Sequence, residues 1–391
     1  MEEKNFSGKF VLKTALIVMC VSVIVSIVLT LMAFNSFFSE IYSGYGELFA
    51  VNKLIQDNFY GDYNKEIAEY EACKGLVKGL NDPYAGFYSS EDLEMLMGSI
   101  SSDYVGIGVT VTSDSEGLLI VDVNENGPAK NAGIVPGDII THVDGKSVIG
   151  IGEDETLKII KTGKVGTEVL VTVVRDNISY EFSVERVDLY DDPVSSEMIG
   201  TVAYITVKQF NIDTGDRFDE VLKEAEDNGA TALVLDLRNN PGGESEACEE
   251  VADLLLDKGI MYYSVDKSGK KDVVYTKDGS NKLPLAVLVN GNTASASELV
   301  TGALKDAKRG CIIGQTTYGK GVIQGIYTIG NDSALKITVA EYFTPSGYAV
   351  QKNGIEPDVA VEPADNMIFG DVEHDNQLVY ALDYLKKELG E

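Results

Sequence analysis

The N-terminal part of the chain is a long apolar run. Residues 11–34 are nearly all apolar, and the 20 residues from Ala15 to Phe34 carry no charge, which is enough to cross a bilayer as a helix. Three lysines come before that uncharged stretch: Lys4, Lys9 and Lys13. By the positive-inside rule they keep the N-terminus in the cytoplasm and send the rest of the chain outside.

A cleaved signal peptide is the alternative interpretation of the same run. The apolar region of a signal peptide is usually shorter, and no clear small-x-small cleavage site follows this one. The pattern therefore favours an uncleaved transmembrane anchor within residues 1–40.

The next segment, residues 41–100, has the periodicity of helices. Apolar side chains recur at helical spacing in two groups: Leu48, Val51, Leu54 and Ile55, then Ile67, Tyr70, Leu76 and Leu80. The sequence Asn81-Asp82-Pro83 then interrupts the pattern. We expect a helical N-terminal arm that serves in packing or in pairing with a second copy of the chain.

From Tyr104 the pattern changes to short strands. The stretches YVGIGVTV, LLIVDV and IITHV are typical of strands, and a longer strand is predicted in GTEVLVTVVRD. PAKNAG predicts a short helix that ends at a glycine, and ETLKIIKTG predicts a second helix. Residues 101–187 should form a compact β-rich module.

Residues 188–365 repeat a strand, a turn and a helix three times. The strands in GTVAYITV, TALVLDLR and LPLAVLVN are largely apolar, which predicts a multidomain α/β protein whose core surrounds a largely parallel sheet. The loops NNPGG and GNTAS follow two of these strands, at the sheet edge where sites gather. An amphipathic helix is expected in residues 366–391. Because this helix and the arm both have apolar faces to bury, we expect a homodimer.

Charge and composition exclude some classes of function. The formal net charge of −30 argues against nucleic-acid binding, because a phosphate-binding surface needs clustered lysine and arginine. The four cysteines form no CxxC pair, which argues against a zinc site. The two histidines, His142 and His374, lie in the β-rich module and the acidic tail, so neither is well placed for a Ser-His-Asp triad.

Ser295 in NTASASE is a candidate nucleophile. It follows an apolar strand and opens a helix, so its hydroxyl should lie near the free N–H groups and the positive end of the helix dipole. The structural alternative is an N-cap, because Ser295 and Glu298 fit the pattern of a capping box. The local pattern by itself favours the cap.

A lysine can activate a serine when burial lowers the lysine's pKa. Lys320 in YGKGVIQG lies between two glycines and before an apolar strand. On an extended strand Lys320, Val322 and Gln324 would share one face, so Gln324 could orient the amine. A solvated surface lysine in a turn is the alternative.

The glycines of NNPGG could supply N–H groups for an oxyanion. Gly243, or failing that Gly242, could act together with the N–H of Ala296. Glycine turns are common, so this motif is weak by itself.

Taken in order, NNPGG, NTASASE and YGKGVIQ resemble the signature of the carboxyl-terminal processing proteases, also called tail-specific proteases. Ser295 and Lys320 are 25 residues apart, and Lys320 and Gln324 are 4 apart, spacings that fit this family. Residues 101–187 resemble its PDZ domain, and DPYAGFY and NGIEPDV are further similarities. The resemblance covers the chain from about residue 45 to the C-terminus.

The resemblance implies a serine endopeptidase that needs no metal or cofactor. It assigns Ser295 as the nucleophile, Lys320 as the general base and Gln324 as the residue that orients it. It also assigns a loop for the substrate's C-terminal carboxylate: Gly106, Ile107, Gly108 and Val109. The expected substrates are proteins or peptides with accessible C-termini.

Two positions depart from the family pattern. The PDZ arginine that takes part in activation is absent, and Lys161 in IIKTGK is its candidate replacement. Ala85 stands where the family usually has a serine.

Two other classes of function are weighed against the protease. A membrane-tethered PDZ adaptor with a silent protease fold is disfavoured by the intact Ser, Lys and Gln set. An α/β hydrolase would need a GxSxG elbow, which the chain lacks.

Overall fold

The computed structural model describes residues 8–98, 101–277, 281–330 and 333–390. The chain divides into two compact units, the first ending at Gly75 and the second beginning at Leu76. The helices are α1 Gly8–Asn58, α2 Lys65–Lys78, α3 Ser90–Gly98, α4 Pro128–Ala132, α5 Glu153–Lys161, α6 Thr214–Asp227, α7 Ser245–Leu255, α8 Ala296–Asp306 and α9 Asn376–Leu389.

The strands of the first half are β1 Gly86–Ser89, β2 Asp103–Gly106, β3 Val109–Asp114, β4 Gly117–Val123, β5 Ile139–Val143, β6 Lys146–Ser147, β7 Glu168–Arg175, β8 Ile178–Glu185 and β9 Val187–Tyr190. Those of the second half are β10 Val194–Ile199, β11 Val202–Val207, β12 Ala232–Asp236, β13 Ile260–Asp266, β14 Lys271–Tyr275, β15 Leu285–Val289, β16 Cys311–Gly314, β17 Val322–Ile329, β18 Ser333–Phe343 and β19 Val359–Ala360.

The first unit contains the apolar run as part of α1. Within the described residues, the segment Leu12–Ser36 is 25 residues long and apolar enough to cross a membrane, and its side chains are not covered by protein. A signal sequence near the N-terminus can meet the same criteria of length and apolar composition. The helical geometry of α1 breaks at Tyr45, beyond this run. Apolar side chains of the arm are exposed, Leu54 and Leu76 among them, but the expected homodimer stays a prediction.

The predicted parallel core is confirmed. The strand order is β10-β11-β12-β15-β16-β19, and all neighbours are parallel except the antiparallel pair β10–β11. Helices α6, α7 and α8 follow β11, β12 and β15 and contribute to the core on one face, while α9 covers the other. Because both faces are covered, β12 and β15 are buried at every residue.

A second, antiparallel sheet was not predicted. Its long strand β18 pairs with β17 on one side, and it also pairs with β1 and with β13, which continues to β14. The prediction of helix throughout residues 41–100 is therefore wrong at Gly86–Ser89, where β1 adds to this sheet. The four-residue strand has too few positions for its periodicity to be distinguished from that of the surrounding helices.

The β-rich module is built around the sheet β3-β4-β5-β7-β8, with α4 and α5 packed on its own apolar core. The two-stranded ribbon of β2 and β9 pairs Gly106 with Val187 and Asp103 with Tyr190 where the chain enters and leaves the module. At the base of this ribbon, the Ser102 hydroxyl donates to Asp213 and accepts a 3.1 Å hydrogen bond from the Asn211 amide.

A buried arginine fixes the C-terminal helix to the sheet. Arg238, just after β12, donates to Asp236 at 2.9 Å, to Asp375 at 2.7 Å and to Gln377 at 3.0 Å. Burial would raise the pKa of Asp375, but its hydrogen bonds with Arg238 and with backbone N–H groups outweigh this and hold the pKa below its ordinary value. The start of α9 is thereby held against the end of β12, next to the NNPGG loop.

Candidate active site

Ser295 lies in a strained turn between β15 and α8. Its backbone has φ 56° and ψ −119°, a region that costs a non-glycine residue about 1–3 kcal/mol and persists only where its surroundings enforce it. The Ser295 N–H donates to the Glu298 carboxylate at 2.9 Å. This bond is one arm of the capping box expected from the sequence, so Ser295 is an N-cap residue in an exceptional backbone conformation.

Glu298 connects this turn to the Lys320 loop. Its carboxylate is fully buried and accepts four hydrogen bonds, two on each oxygen. One oxygen accepts from the N–H groups of Ser295 at 2.9 Å and Lys320 at 2.8 Å. The other accepts from the Thr317 hydroxyl at 2.5 Å and the Gly319 N–H at 2.8 Å. The sequence identified only the capping bond, because the donors around Lys320 are more than 18 residues away along the chain.

Tyr342 makes a second connection between the same two segments. Its hydroxyl lies 2.7 Å from the Lys320 carbonyl oxygen and 3.1 Å from the Ser295 carbonyl oxygen. Burial raises the pKa of Tyr342 well above its ordinary value, and the negative charge of Glu298 adds to this, so the phenol stays a donor. Tyr342 was not found from the sequence, where it is one apolar position in a long strand.

The environment of Lys320 favours a neutral amine. Burial lowers the pKa of Lys320, the positive charge of Lys336 on β18 lowers it further, and Glu298 opposes both. The Lys320 amine lies 5.0 Å from the centre of the Tyr84 ring. Tyr84 belongs to DPYAGFY, and Asp82 of that segment accepts its N–H at 2.9 Å. The half-buried lysine is thus not the solvated surface residue of the alternative interpretation.

Gln324 is not seen beside the lysine amine. Lys320 precedes β17, and a β-bulge falls between Ile323 and Gln324, so simple alternation does not relate their side chains. The Gln324 amide donates to the Val322 carbonyl at 3.3 Å. Among the described residues no hydrogen bond joins Gln324 to Lys320, nor the Ser295 hydroxyl to the Lys320 amine. The orienting role of Gln324 stays a prediction.

The NNPGG loop lies directly against Ser295. A Cβ built on Gly242 would be 2.7 Å from the Ser295 Cβ and 2.9 Å from the Ala296 nitrogen. The Gly242 N–H donates to the Asn240 side chain at 2.9 Å. Within the described part of the chain, the N–H groups of Gly243 and Ala296 have no hydrogen-bond acceptor, so of the two glycines Gly243 is the better candidate for an oxyanion donor.

The histidines have other partners. The His142 ring nitrogen lies 3.1 Å from the Thr141 hydroxyl on β5, and the His374 ring nitrogen lies 2.8 Å from Asp371. Neither contact involves Ser295.

The candidate carboxylate-binding loop joins β2 to β3. Gly108 has φ +77°, and its carbonyl accepts the Asn124 N–H at 2.9 Å. The carbonyl of buried Ile107 accepts the Ala129 N–H of α4 at 3.0 Å. Gly106 and Val109 flank this turn as the last residue of β2 and the first of β3.

The lysines of α5 have separate roles in this structure. The Lys161 amine lies 5.0 Å from the centre of the Tyr104 ring on β2. Lys158, one turn earlier, forms a 2.8 Å ion pair with Asp92 of α3. It is therefore Lys158 that connects α5 to the part of the chain outside the module, and the replacement of the family arginine by Lys161 stays a prediction.

Comparison with known proteins identifies the family. The family model for peptidase family S41 matches residues 201–361, and that for the PDZ domain matches residues 105–185. The solved structure of the photosystem II D1 C-terminal processing protease is 30% identical and superposes with a TM-score of 0.53, covering 83% of this chain and 89% of that one. The chain belongs to peptidase family S41.

Two further known proteins resemble the chain over most of its length. The Probable CtpA-like serine protease of Staphylococcus aureus (strain MRSA252) is 33% identical over 316 residues, which are 80% of this chain and 64% of that protein. The chain thus spans less than two thirds of the length of this relative. A structure from Bacteroides fragilis NCTC 9343, named as an S41 protease, has a TM-score of 0.54 at 17% identity, with 81% and 90% of the two chains covered. This last likeness concerns the fold alone.

The contact between Gly242 and the Ser295 turn predicts the effect of a small substitution. Gly242→Ala should lower kcat/KM by about a hundredfold or more, because the new methyl would displace the Ser295 side chain or the Ala296 N–H. Peptide cleavage by purified variants measures the change.

Gly229→Ala is the matched control. Gly229 also has a positive φ, +86°, but a Cβ there meets nothing within 4 Å. We expect this variant to lose about 1 kcal/mol of folding free energy from backbone strain alone and to keep its kcat/KM. Equal activity of the two variants would contradict the close contact.

Proposed function

We propose that this S41 family member is a serine endopeptidase with Ser295 as nucleophile and Lys320 as general base. The observation that carries the proposal is the buried Glu298 carboxylate, whose one oxygen binds the N–H groups of both residues. Two segments from different sheets are held together there, and each carries a side chain of the right chemistry for acyl transfer.

The proposed reaction proceeds in two stages. The neutral Lys320 amine takes the Ser295 hydroxyl proton as the oxygen attacks the peptide carbonyl, and the new oxyanion accepts hydrogen bonds from Gly243 and Ala296. The Lys320 ammonium then protonates the leaving amine, so the peptide bond breaks and an acyl-enzyme ester remains. Water attacks that ester as Lys320 takes its proton. The Lys320 ammonium then returns this proton to the Ser295 oxygen as the ester C–O bond breaks, which releases the new C-terminus and restores the serine hydroxyl and the neutral amine. No metal or cofactor takes part.

The substrate class follows from the PDZ domain and the family. We propose that the free carboxylate of a protein tail binds the loop Gly106–Val109, which lies between β2 and β3 beside α5. One similar protein is named as a C-terminal processing protease. For this chain, cleavage near the C-terminus of its substrates is the corresponding proposal.

A serine-reactive fluorophosphonate probe tests the proposal. The probe should label the wild-type protein, and labelling should be lost in Ser295→Ala but retained in Ser346→Ala, which changes an exposed serine. Lys320→Ala and Lys320→Arg should also fail to cleave tail peptides, because neither supplies a neutral amine. A wild-type chain that neither reacts with the probe nor cleaves would favour the silent PDZ adaptor.

The charges around Lys320 predict a shift in the pH profile. An ordinary lysine has a pKa of about 10.4. Burial and Lys336 lower the pKa of Lys320, so activity should rise with pH with a midpoint below the ordinary lysine pKa. Lys336→Gln removes a positive charge that disfavours the ammonium. The pKa of Lys320 should therefore rise, and the ascending limb of kcat/KM should move to higher pH.

Lys271→Gln is the control for this profile. Lys271 lies on β14 of the same sheet, with its amine over the Tyr263 ring, and it is not among the charges that act on Lys320. Its profile should match that of the wild type. If the ascending limb of kcat/KM did not move in Lys336→Gln, or moved to lower pH, this would count against Lys320 as the base.

The location of the enzyme is a further proposal. The segment Leu12–Ser36 is proposed as an uncleaved anchor, with the N-terminus cytoplasmic and the protease outside. The full chain should stay in the membrane fraction after carbonate extraction, and its N-terminal residues should be recovered intact by mass spectrometry. A soluble product that begins near Ser36 would identify a cleaved signal peptide instead.

A further inference from the structure

We propose that the Tyr342 hydroxyl is a positioning group for the Ser295–Lys320 pair. The inference rests on the function proposed above and adds a residue that touches neither the substrate nor the reacting atoms. Its hydroxyl oxygen lies between two backbone carbonyl oxygens, 2.7 Å from that of Lys320 and 3.1 Å from that of Ser295. One side chain therefore fixes the backbone of the nucleophile relative to that of the base.

The strained backbone of Ser295 explains why this bond matters. With φ 56° and ψ −119°, Ser295 is in a conformation that surroundings must enforce. Glu298 holds the N–H of the residue with its carboxylate. The Ser295 carbonyl accepts the backbone N–H groups of Glu298 at 2.8 Å and Leu299 at 3.1 Å, and the Tyr342 hydroxyl as well. Among the described residues, the phenol is the donor to this carbonyl that also bonds to the Lys320 carbonyl, so its loss leaves Ser295 attached to α8 but removes a bond between the nucleophile segment and the base segment.

The same arrangement holds on the lysine side. Glu298 accepts the Lys320 N–H, and Tyr342 donates to the Lys320 carbonyl. Both peptide groups that flank each of the two Cα atoms are thus bonded to a buried side chain. Because an error of about 1 Å in the placement of reacting groups can cost a hundredfold in rate, this double restraint should affect turnover more than substrate binding.

Tyr342 is itself rigidly held. Its side chain is 2% exposed, and its N–H donates to the Gly321 carbonyl at 2.9 Å. Its ring packs edge-to-face on Tyr262, with ring centres 6.4 Å apart. Tyr262 is also buried in the same core, with 6% of its surface exposed. Its hydroxyl donates to Glu249 of α7 at 2.8 Å, so it offers a matched control that lacks the bonds to Ser295 and Lys320.

The experiment compares Tyr342→Phe with Tyr262→Phe in the full chain. For Tyr342→Phe we expect kcat on a tail peptide to fall about tenfold to a hundredfold, with KM within about twofold of the wild type. The rate of phosphonylation by the fluorophosphonate probe should fall in parallel. Tyr262→Phe should keep wild-type kcat and phosphonylation rate. All rates are normalised to the folded fraction measured by near-UV circular dichroism.

Each other outcome identifies what has failed. Equal kcat for the two phenylalanine variants would overturn the positioning role, as would an increase in KM alone. Failure of Tyr342→Phe to fold while Tyr262→Phe folds would make the hydroxyl structural and would also overturn it. Ser295→Ala and Lys320→Ala are measured in the same experiment. Turnover at the wild-type rate in either variant would refute the proposed function itself, whatever the result for Tyr342→Phe.

Discussion

The arrangement of the site depends on one buried carboxylate. Glu298 is buried away from water. An unpaired charge in the protein interior would cost several kcal/mol, but four hydrogen-bond donors surround this carboxylate. It also lies in the first turn of α8, where the helix dipole favours negative charge. Its donors come from two separate segments of the chain, so satisfying this one charge requires the Ser295 turn and the Lys320 loop to meet.

The two segments that meet at Glu298 belong to two different sheets. The parallel sheet supplies Ser295 at the end of β15 and the glycine loop after β12, both at its carboxyl edge. The antiparallel sheet supplies Lys320 just before β17 and Tyr342 near the end of β18. The hydroxyl of Tyr342 and the carboxylate of Glu298 then join the two sheets where the proposed chemistry takes place.

The PDZ domain meets the catalytic region at the β2–β9 ribbon. Besides the β2–β9 ribbon, Lys158 of α5 forms an ion pair with Asp92 of α3. At the base of the ribbon, the Ser102 hydroxyl accepts a hydrogen bond from the Asn211 amide. The neighbouring residue Phe210 exchanges backbone hydrogen bonds with the loop of Gly242 and Gly243. Phe210 and Asn211 are neighbours in sequence, so one short segment both contacts the base of the ribbon and supports the glycine loop.

The sequence by itself determined the local features of this protein. Local patterns in the sequence predicted the three repeats of strand, turn and helix, the separate β-rich module and the capping of α8 by Glu298. Each of these patterns depends on residues that are close together along the chain. The family resemblance rested on three short motifs and proved correct. The strand Gly86–Ser89 was missed because its partners, Ser333–Lys336, lie more than 240 residues away, and no local pattern reports such pairing.

Only the tertiary structure decided how the candidate residues meet. The lowered pKa of Lys320 depends on burial and on Lys336 across the sheet, and the β-bulge at Gln324 breaks the alternation that a regular strand would have imposed. The second role of Glu298 and the bridge made by Tyr342 are also properties of packing. A hydrogen bond between distant segments leaves no periodicity in the sequence, because its donor and acceptor are brought together only when the two sheets fold against each other.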